Sequence, residues 1–155
     1  MTAPAGIDPR SPRFGAAITA VLLLVVIFLN LAGAALASTI VFSLIVALFA
    51  WGAFAGIRRH PYGAIFRSLI RPRLKPPTEL EDPTPPTFAQ GVGLVITGLG
   101  LVLHLVGVPY ALVVAASAAF IAAFLNSVFA YCLGCQIYLL LVRLGVLGRK
   151  GAATA

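Results

Sequence analysis

Charged residues, and acidic ones above all, are scarce in this chain. Of its 155 residues only 10% are charged, and only four of these are acidic. None of the four lies in a long apolar segment, which argues against a proton-coupled transporter built on intramembrane carboxylates. Phosphate-binding loops, Ser/His/Asp arrangements and haem-attachment patterns are also absent from the sequence. The sequence therefore contains no motif typical of hydrolases, nucleotide-binding enzymes or haem proteins.

Apolar residues, in contrast, make up 61% of the chain, and its mean hydropathy is +1.05. A soluble chain of this length exposes a large fraction of its surface to water, so it does not need so many apolar side chains. We therefore predict an integral membrane protein. A net charge of +7 would suggest a nucleic-acid partner in a soluble protein, but here the positions of the charges indicate membrane topology and no nucleic acid.

Two uninterrupted apolar blocks run from Phe14 to Ile57 and from Phe88 to about Tyr131. Each is about twice the ~20 residues that a membrane-spanning helix needs, and each has a small-residue turn near its middle, at Gly33 and Gly107. Because unpaired backbone cannot face lipid, each block should form a helical hairpin. The predicted fold is an all-α integral membrane four-helix bundle in a single transmembrane domain made of two helical hairpins, with spans at 14–32, 35–57, 89–107 and 110–131.

The basic residues predict the orientation of the chain. All eleven fall outside the two hairpin turns: Arg10, Arg13, Arg58, Arg59, Arg67, Arg71, Arg73, Lys75, Arg143, Arg149 and Lys150. The positive-inside rule places both termini, the loop 58–87 and the tail 136–155 in the cytoplasm. A cleaved signal peptide is the alternative for the N-terminus, but its apolar stretch is longer than a usual signal core.

The central loop divides into two parts. From Tyr62 to Arg71 the apolar residues Ile65, Phe66, Leu69 and Ile70 fall on one helical face, which predicts a short interfacial amphipathic helix. The segment that follows is rich in proline and should be an extended linker.

The two halves of the chain are similar to each other. A shift of 74 residues aligns Phe14 with Phe88, Asn30 with His104 and Gly33 with Gly107. A parallel internal repeat would relate the halves by an axis along the membrane normal, although chance matches are common among apolar sequences. With a further one-residue shift, which aligns Phe54 with Phe129, the repeat would place the segment 58–61 on 133–136.

The only cysteines, Cys132 and Cys135, follow the last apolar block. On a continuous helix they share a face at a separation that suits a disulfide. If Gly134 instead breaks the helix, a new N-terminus near Gln136 would favour thiolate. The alternatives are inert apolar thiols or a metal site with His60 as a third ligand. A cytoplasmic pair would meet reducing thiols, so a stable structural disulfide is not expected.

Three polar residues interrupt the predicted spans, namely Asn30, His104 and Asn126. His104 is expected to snorkel or to bond a neighbouring helix, with a proton or quinone site as the alternative. Asn126 is expected to hold helices together.

Three segments resemble a bacterial membrane family known as domain of unknown function 4395. They are Arg71-Pro72-Arg73-Leu74, residues 88–93 and residues 129–138, and the resemblance runs from about Pro12 to Leu144. It implies a CxGCxxY-type motif at Cys132, Gly134, Cys135 and Tyr138, and a bacterial inner-membrane location. It further implies thiol or sulfur handling beside thioredoxin-like or rhodanese-like partners. A looser similarity to DoxX and MauE-type membrane proteins concerns the four-helix architecture.

Together these observations predict a membrane thiol–disulfide or sulfur-relay protein that uses Cys132 and Cys135, with either cysteine as the attacking thiol. By the repeat, Arg58, Arg59 and His60 would lie near the pair and tune the thiolate, and a quinone could accept electrons. The alternative function is a non-catalytic accessory subunit of a larger membrane complex or of a homo-oligomer.

Overall fold

Six α-helices form within the part of the chain that the structure describes. A computed structural model describes residues 6–147, so Arg149 and Lys150 of the predicted basic tail lie outside the described residues. The helices are α1 (Arg10–Leu31), α2 (Ala35–Ala55), α3 (Pro61–Ile65), α4 (Thr84–Leu105), α5 (Ala111–Phe129) and α6 (Leu133–Arg143). Helices α1, α2, α4 and α5 are long and apolar enough to cross a membrane, which confirms the predicted all-α, multi-pass membrane fold.

Two of the spans begin about one turn earlier than the sequence predicts. The Asp8 carboxylate accepts the Arg10 N–H at 3.0 Å and pairs with the Arg10 guanidinium at 2.7 Å, which stabilises the first turn of α1. At α4, the Asp82 carboxylate accepts the Thr84 N–H at 2.8 Å. Proline also fits a first helical turn, where no backbone N–H is needed, so Pro85 extends α4 rather than ending it.

The turns that follow α1 and α4 have the same geometry. Gly33 and Gly107 both adopt positive φ, 81° and 89°. The Ala34 N–H bonds the Leu29 carbonyl at 2.9 Å, and the Val108 N–H bonds the Leu103 carbonyl at the same distance. Such a bond to a carbonyl five residues back, with glycine in the left-handed region, is a common way to end a helix. The equivalence at a shift of 74 residues supports the internal repeat.

The long helices pack mainly across the two halves. The most extensive contacts join α1 with α5 and α2 with α4, followed by those between α4 and α5 and between α1 and α2. The core between them is made of fully buried side chains, including Leu23, Val26, Phe42, Ile45 and Leu112. Large apolar side chains also face outwards, such as Phe54, which is 86% exposed. In a bilayer these side chains are solvated by lipid.

The predicted amphipathic helix is present but irregular. Helix α3 continues through a π-helical turn at Phe66–Ile70 and a 3₁₀ turn at Arg71–Arg73. Phe66 is buried, and its ring lies 5.8 Å from that of Phe14 in α1. The side chains of Ile65 and Leu69 are exposed, as expected for a segment at the membrane interface.

Close approach of α4 and α5 requires glycine at position 100. A methyl group there would overlap the Ala115 side chain, whereas a methyl group at Gly98 would have its nearest neighbour, Leu94 Cδ1, at 4.0 Å.

We expect Gly100→Ala to lower the free energy of unfolding in detergent by about 1–3 kcal/mol, because overpacking forces the helices apart. Gly98→Ala is the matched control and should leave the thermal unfolding midpoint unchanged or raise it. Equal midpoints for the two variants would contradict this account.

Candidate functional site

The helical conformation is interrupted between Phe129 and Leu133, and Cys132, the first cysteine of the pair, lies in this interruption. Helix α5 ends at Phe129, because Ala130 takes a left-handed conformation with φ of 55°. Cys132 is then extended and is the N-cap of α6, which begins at Leu133. Helix α5 therefore ends two residues before the predicted end of the fourth span at 131. The break also precedes Gly134, so neither a continuous helix nor a new helix near Gln136 is correct.

This break places the pair at a helix N-terminus. The Cys135 N–H donates to Cys132 Sγ at 3.3 Å, so the sulfur occupies the position of a capping oxygen. The two sulfurs are joined as a disulfide, with 5.2 Å between the Cα atoms. Cys135 is 8% exposed and Cys132 is half-buried. A helix N-terminus stabilises negative charge, so it favours the thiolate form of Cys132 when the pair is reduced.

The other two residues of the CxGCxxY-type motif hold α6 against α4. A methyl group at Gly134 would lie 2.5 Å from the Ala89 Cβ, so only glycine permits this approach. One turn further along α6, the Tyr138 ring lies 5.5 Å from that of Phe88. Both motif residues thus pack on consecutive residues of α4. Tyr138 positions the helix and does not line the cavity beside the thiols.

Both cysteines line a cavity of about 370 Å³. It lies at the basic end of the bundle, which we define as the end where α1 begins and α2 ends. Residues of all six helices line it, and its polar lining side chains include Arg13, His60, Glu81, Gln90 and Asn126. Along α5 the lining reaches Ala118, so the cavity extends from the cysteines deep into the bundle.

The cation at this cavity is Arg13, whose role the sequence did not reveal. Its Nη2 donates to the Ser127 carbonyl at 3.5 Å, and its Nε is buried with no hydrogen-bond partner among residues 6–147. Arg58 and Arg59, predicted to tune the thiolate, are exposed and do not line the cavity. Arg13 escapes prediction because a basic residue before a first span normally indicates only orientation.

His60 does line the cavity, but both of its ring nitrogens are occupied. The side chain is 3% exposed; Nδ1 accepts the Tyr62 N–H at 3.2 Å, so Nε2 carries the proton and donates to the Leu48 carbonyl at 3.1 Å. Burial lowers the pKa of His60 and favours its neutral form. No nitrogen is left for the alternative metal site, and no group of three or more metal-ligating side chains occurs in the part of the chain described.

The intramembrane polar residues separate into two groups. Asn30 and His104 lie at the end of the bundle opposite the cysteines. Asn30 Nδ2 bonds Ser38 Oγ at 3.2 Å, and His104 Nε2 bonds Thr39 Oγ1 at 3.0 Å. His104 therefore makes the expected helix–helix hydrogen bond. Asn126 alone of the three belongs to the cavity.

These features define a class of four-span membrane protein in which a cysteine pair caps a short additional helix above an internal cavity. The sequence matches the model of the family described as domain of unknown function (DUF4395) over residues 7–143, and the chain belongs to that family. No curated protein and no solved structure matches it. The looser similarity to DoxX and MauE-type proteins stays a prediction.

The contact between α6 and α4 can be tested at Gly134. We expect Gly134→Ala to displace α6, because the added methyl group would also lie 2.6 Å from the Ala89 Cα. The displacement should lower the thermal unfolding midpoint and increase the rate at which the reduced cysteines react with a maleimide. Gly91→Ala, on α4 with no atom within 4 Å of the added methyl group, is the control. Unchanged thiol reactivity in Gly134→Ala would show that the contact does not position the pair.

Proposed function

We propose that this protein is a membrane thiol–disulfide exchange protein whose reactive group is the Cys132–Cys135 pair. The observation that carries the proposal is the position of Cys132 as N-cap of α6, with the Cys135 N–H directed at its sulfur. A thiolate there is stabilised by a backbone N–H and by the helix dipole. An inert apolar pair would gain nothing from either interaction.

In the proposed exchange, Cys132 is the attacking thiol and Cys135 the resolving thiol. Cys132 is the more exposed of the two and its sulfur accepts the hydrogen bond, whereas Cys135 is buried. The Cys132 thiolate attacks a disulfide of a thioredoxin-like partner and forms a mixed disulfide, releasing one partner thiolate. Cys135 then displaces the second, so that the partner leaves as a dithiol and this chain holds the disulfide; the reverse reaction oxidises the partner. With a rhodanese-like partner, the Cys132 thiolate would attack the outer sulfur of the partner's persulfide, which releases the partner's thiolate and leaves a persulfide on Cys132.

The proposed side of exchange is the cytoplasm of a bacterial cell, with the protein in its inner membrane. The basic end of the bundle holds Arg10, Arg13, Arg58 and Arg59 together with the cysteines. Basic residues accumulate on the cytoplasmic side of membrane proteins, which supports this orientation.

The assignment of the attacking thiol predicts unequal single variants. In lipid nanodiscs, Cys135→Ser should form a mixed disulfide with oxidised glutathione roughly two- to fivefold faster than Cys132→Ser, because the helix terminus is worth about 0.3–1 kcal/mol to a charge at Cys132. Intact-protein mass spectrometry measures both rates. Cys132→Ser keeps a good N-cap and should remain folded.

A wild-type pair that neither forms a disulfide in a glutathione redox titration nor reacts with maleimide once reduced would refute the proposed function.

The orientation gives a separate prediction. In intact cells treated with a membrane-permeant reductant, an impermeant maleimide should leave Cys132 and Cys135 unmodified, whereas a permeant maleimide should label them. A cysteine introduced at exposed Ala37, near the opposite end of the bundle, should show that the impermeant reagent reaches its own side. Labelling of the native pair by the impermeant reagent would reverse the proposed topology.

The accessory-subunit function makes a different prediction for the cysteines. A chain that serves only to assemble a complex should bind its partners equally well with both cysteines replaced by serine. Retained partner binding together with a redox-silent wild-type pair would favour that alternative.

A further inference from the structure

The cavity beside the cysteines is deeper than thiol exchange with a protein partner requires. Its lining on α5 includes Ala118, which lies about 16 Å before the end of that helix at 1.5 Å per residue. That depth is roughly half of the ~30 Å hydrocarbon core of a bilayer. The α5 wall carries small side chains, Ala118, Ala119, Ala122 and Ala123, which leave the space open. A volume of about 370 Å³ is within the range of small-molecule sites.

One buried hydrogen-bond donor without a partner and two amide side chains lie near the cysteine end of this cavity. Arg13 Nε is buried and unpaired among the described residues. Asn126, one helical turn before the end of α5, also lines the cavity, as does Gln90 on α4. A buried donor without an acceptor is costly, so a ligand that offers acceptor oxygens at this level would bind favourably. Most of the other lining residues are apolar, so the rest of the cavity favours an apolar part of the ligand.

We infer that the cavity binds a lipid-soluble quinone, with its carbonyl oxygens at Arg13 and Asn126 and its apolar part between α1, α2, α4 and α5. This inference rests on the proposed function, because the quinone is assigned as the electron acceptor of the reduced cysteine pair. A small sulfur oxyanion would satisfy Arg13 but would leave the apolar depth of the cavity empty. A phospholipid acyl chain would fill the depth of the cavity but would leave Arg13 Nε unpaired.

The reaction balances with no further reactant. Two S–H bonds, at Cys132 and Cys135, are broken and one S–S bond is formed. The two electrons reduce the quinone ring, and the two protons end on its oxygens, which gives one hydroquinone per disulfide. Glu81 is the one carboxyl group among the lining residues. Burial, together with the neighbouring Asp82 charge, raises the pKa of Glu81, which suits a group that relays a proton between the thiols and the polar surface.

The test uses the full chain in nanodiscs of quinone-free lipid. The cysteine pair is first reduced, and the sample is kept free of oxygen. Addition of a benzoquinone that carries a decyl chain should produce one disulfide per quinone reduced, measured by alkylation mass shift and by quinone absorbance. Ala122→Leu fills the cavity and should slow the reaction at least tenfold. Ala37→Leu, the same change at an exposed position of α2 outside the lining, should not. Equal rates in the two leucine variants would overturn the assigned site.

Binding is measured apart from chemistry in the variant with both cysteines replaced by serine. Equilibrium dialysis should show saturable binding of the decyl quinone, weakened about tenfold or more by Arg13→Gln, as expected for loss of a hydrogen bond from a charged group. Arg13→Lys, which keeps the charge, should weaken binding less.

The outcomes distinguish this inference from the proposed function. Glutathione-driven disulfide exchange with no quinone reduction would overturn the quinone site alone. Saturable quinone binding by the serine variant, with a wild-type pair inert to both glutathione and quinone, would overturn the redox function and the electron transfer together.

Discussion

The close contact between α6 and α4 is the constraint on which the site depends. Gly134 and Ala89 meet without room for an additional methyl group, and the Tyr138 ring packs at a tilt against the Phe88 ring beside them. Because α6 is short, it would have little stability apart from this packing. The contact fixes the first turn of α6, and with it the N–H that faces Cys132 Sγ. Two helix-packing residues thus determine where the Cys132 sulfur lies relative to the N-terminus of α6.

The two halves of the chain carry unlike caps on their short helices. Each long hairpin ends in a residue with positive φ, Gly56 in the first half and Ala130 in the second, and each is followed by a short helix. The cap of the first short helix is His60 and that of the second is Cys132. Both side chains accept a backbone N–H and both line the same cavity. The N-caps of the two short helices therefore line the same cavity from the two halves, although the repeat aligns His60 with Cys135 and not with Cys132.

Much of the fold could be predicted because it follows from length and hydropathy. The four spans, the glycine turns at Gly33 and Gly107 and the basic end are all encoded locally. The site is only partly local. Whether α5 continues past Ala130 depends on how α6 packs on α4, and the burial of Arg13 depends on the contact between α1 and α5. His60, which the repeat suggested as a neighbour of the pair, lines the same cavity, whereas Arg58 and Arg59 are exposed and do not line it.

The position of the pair is what connects exchange with electron transfer in the proposed function. Cys132 is the more exposed cysteine and lies at the basic end, where a water-soluble partner would approach. Cys135 is buried one turn into α6 and shares the cavity with Arg13 and Asn126. A polar partner and a lipid-soluble acceptor would thus meet the same two sulfurs from different sides without competing for space. A pair in the middle of a span would be inaccessible to a water-soluble partner. A pair on an exposed loop would be inaccessible to a lipid-soluble acceptor.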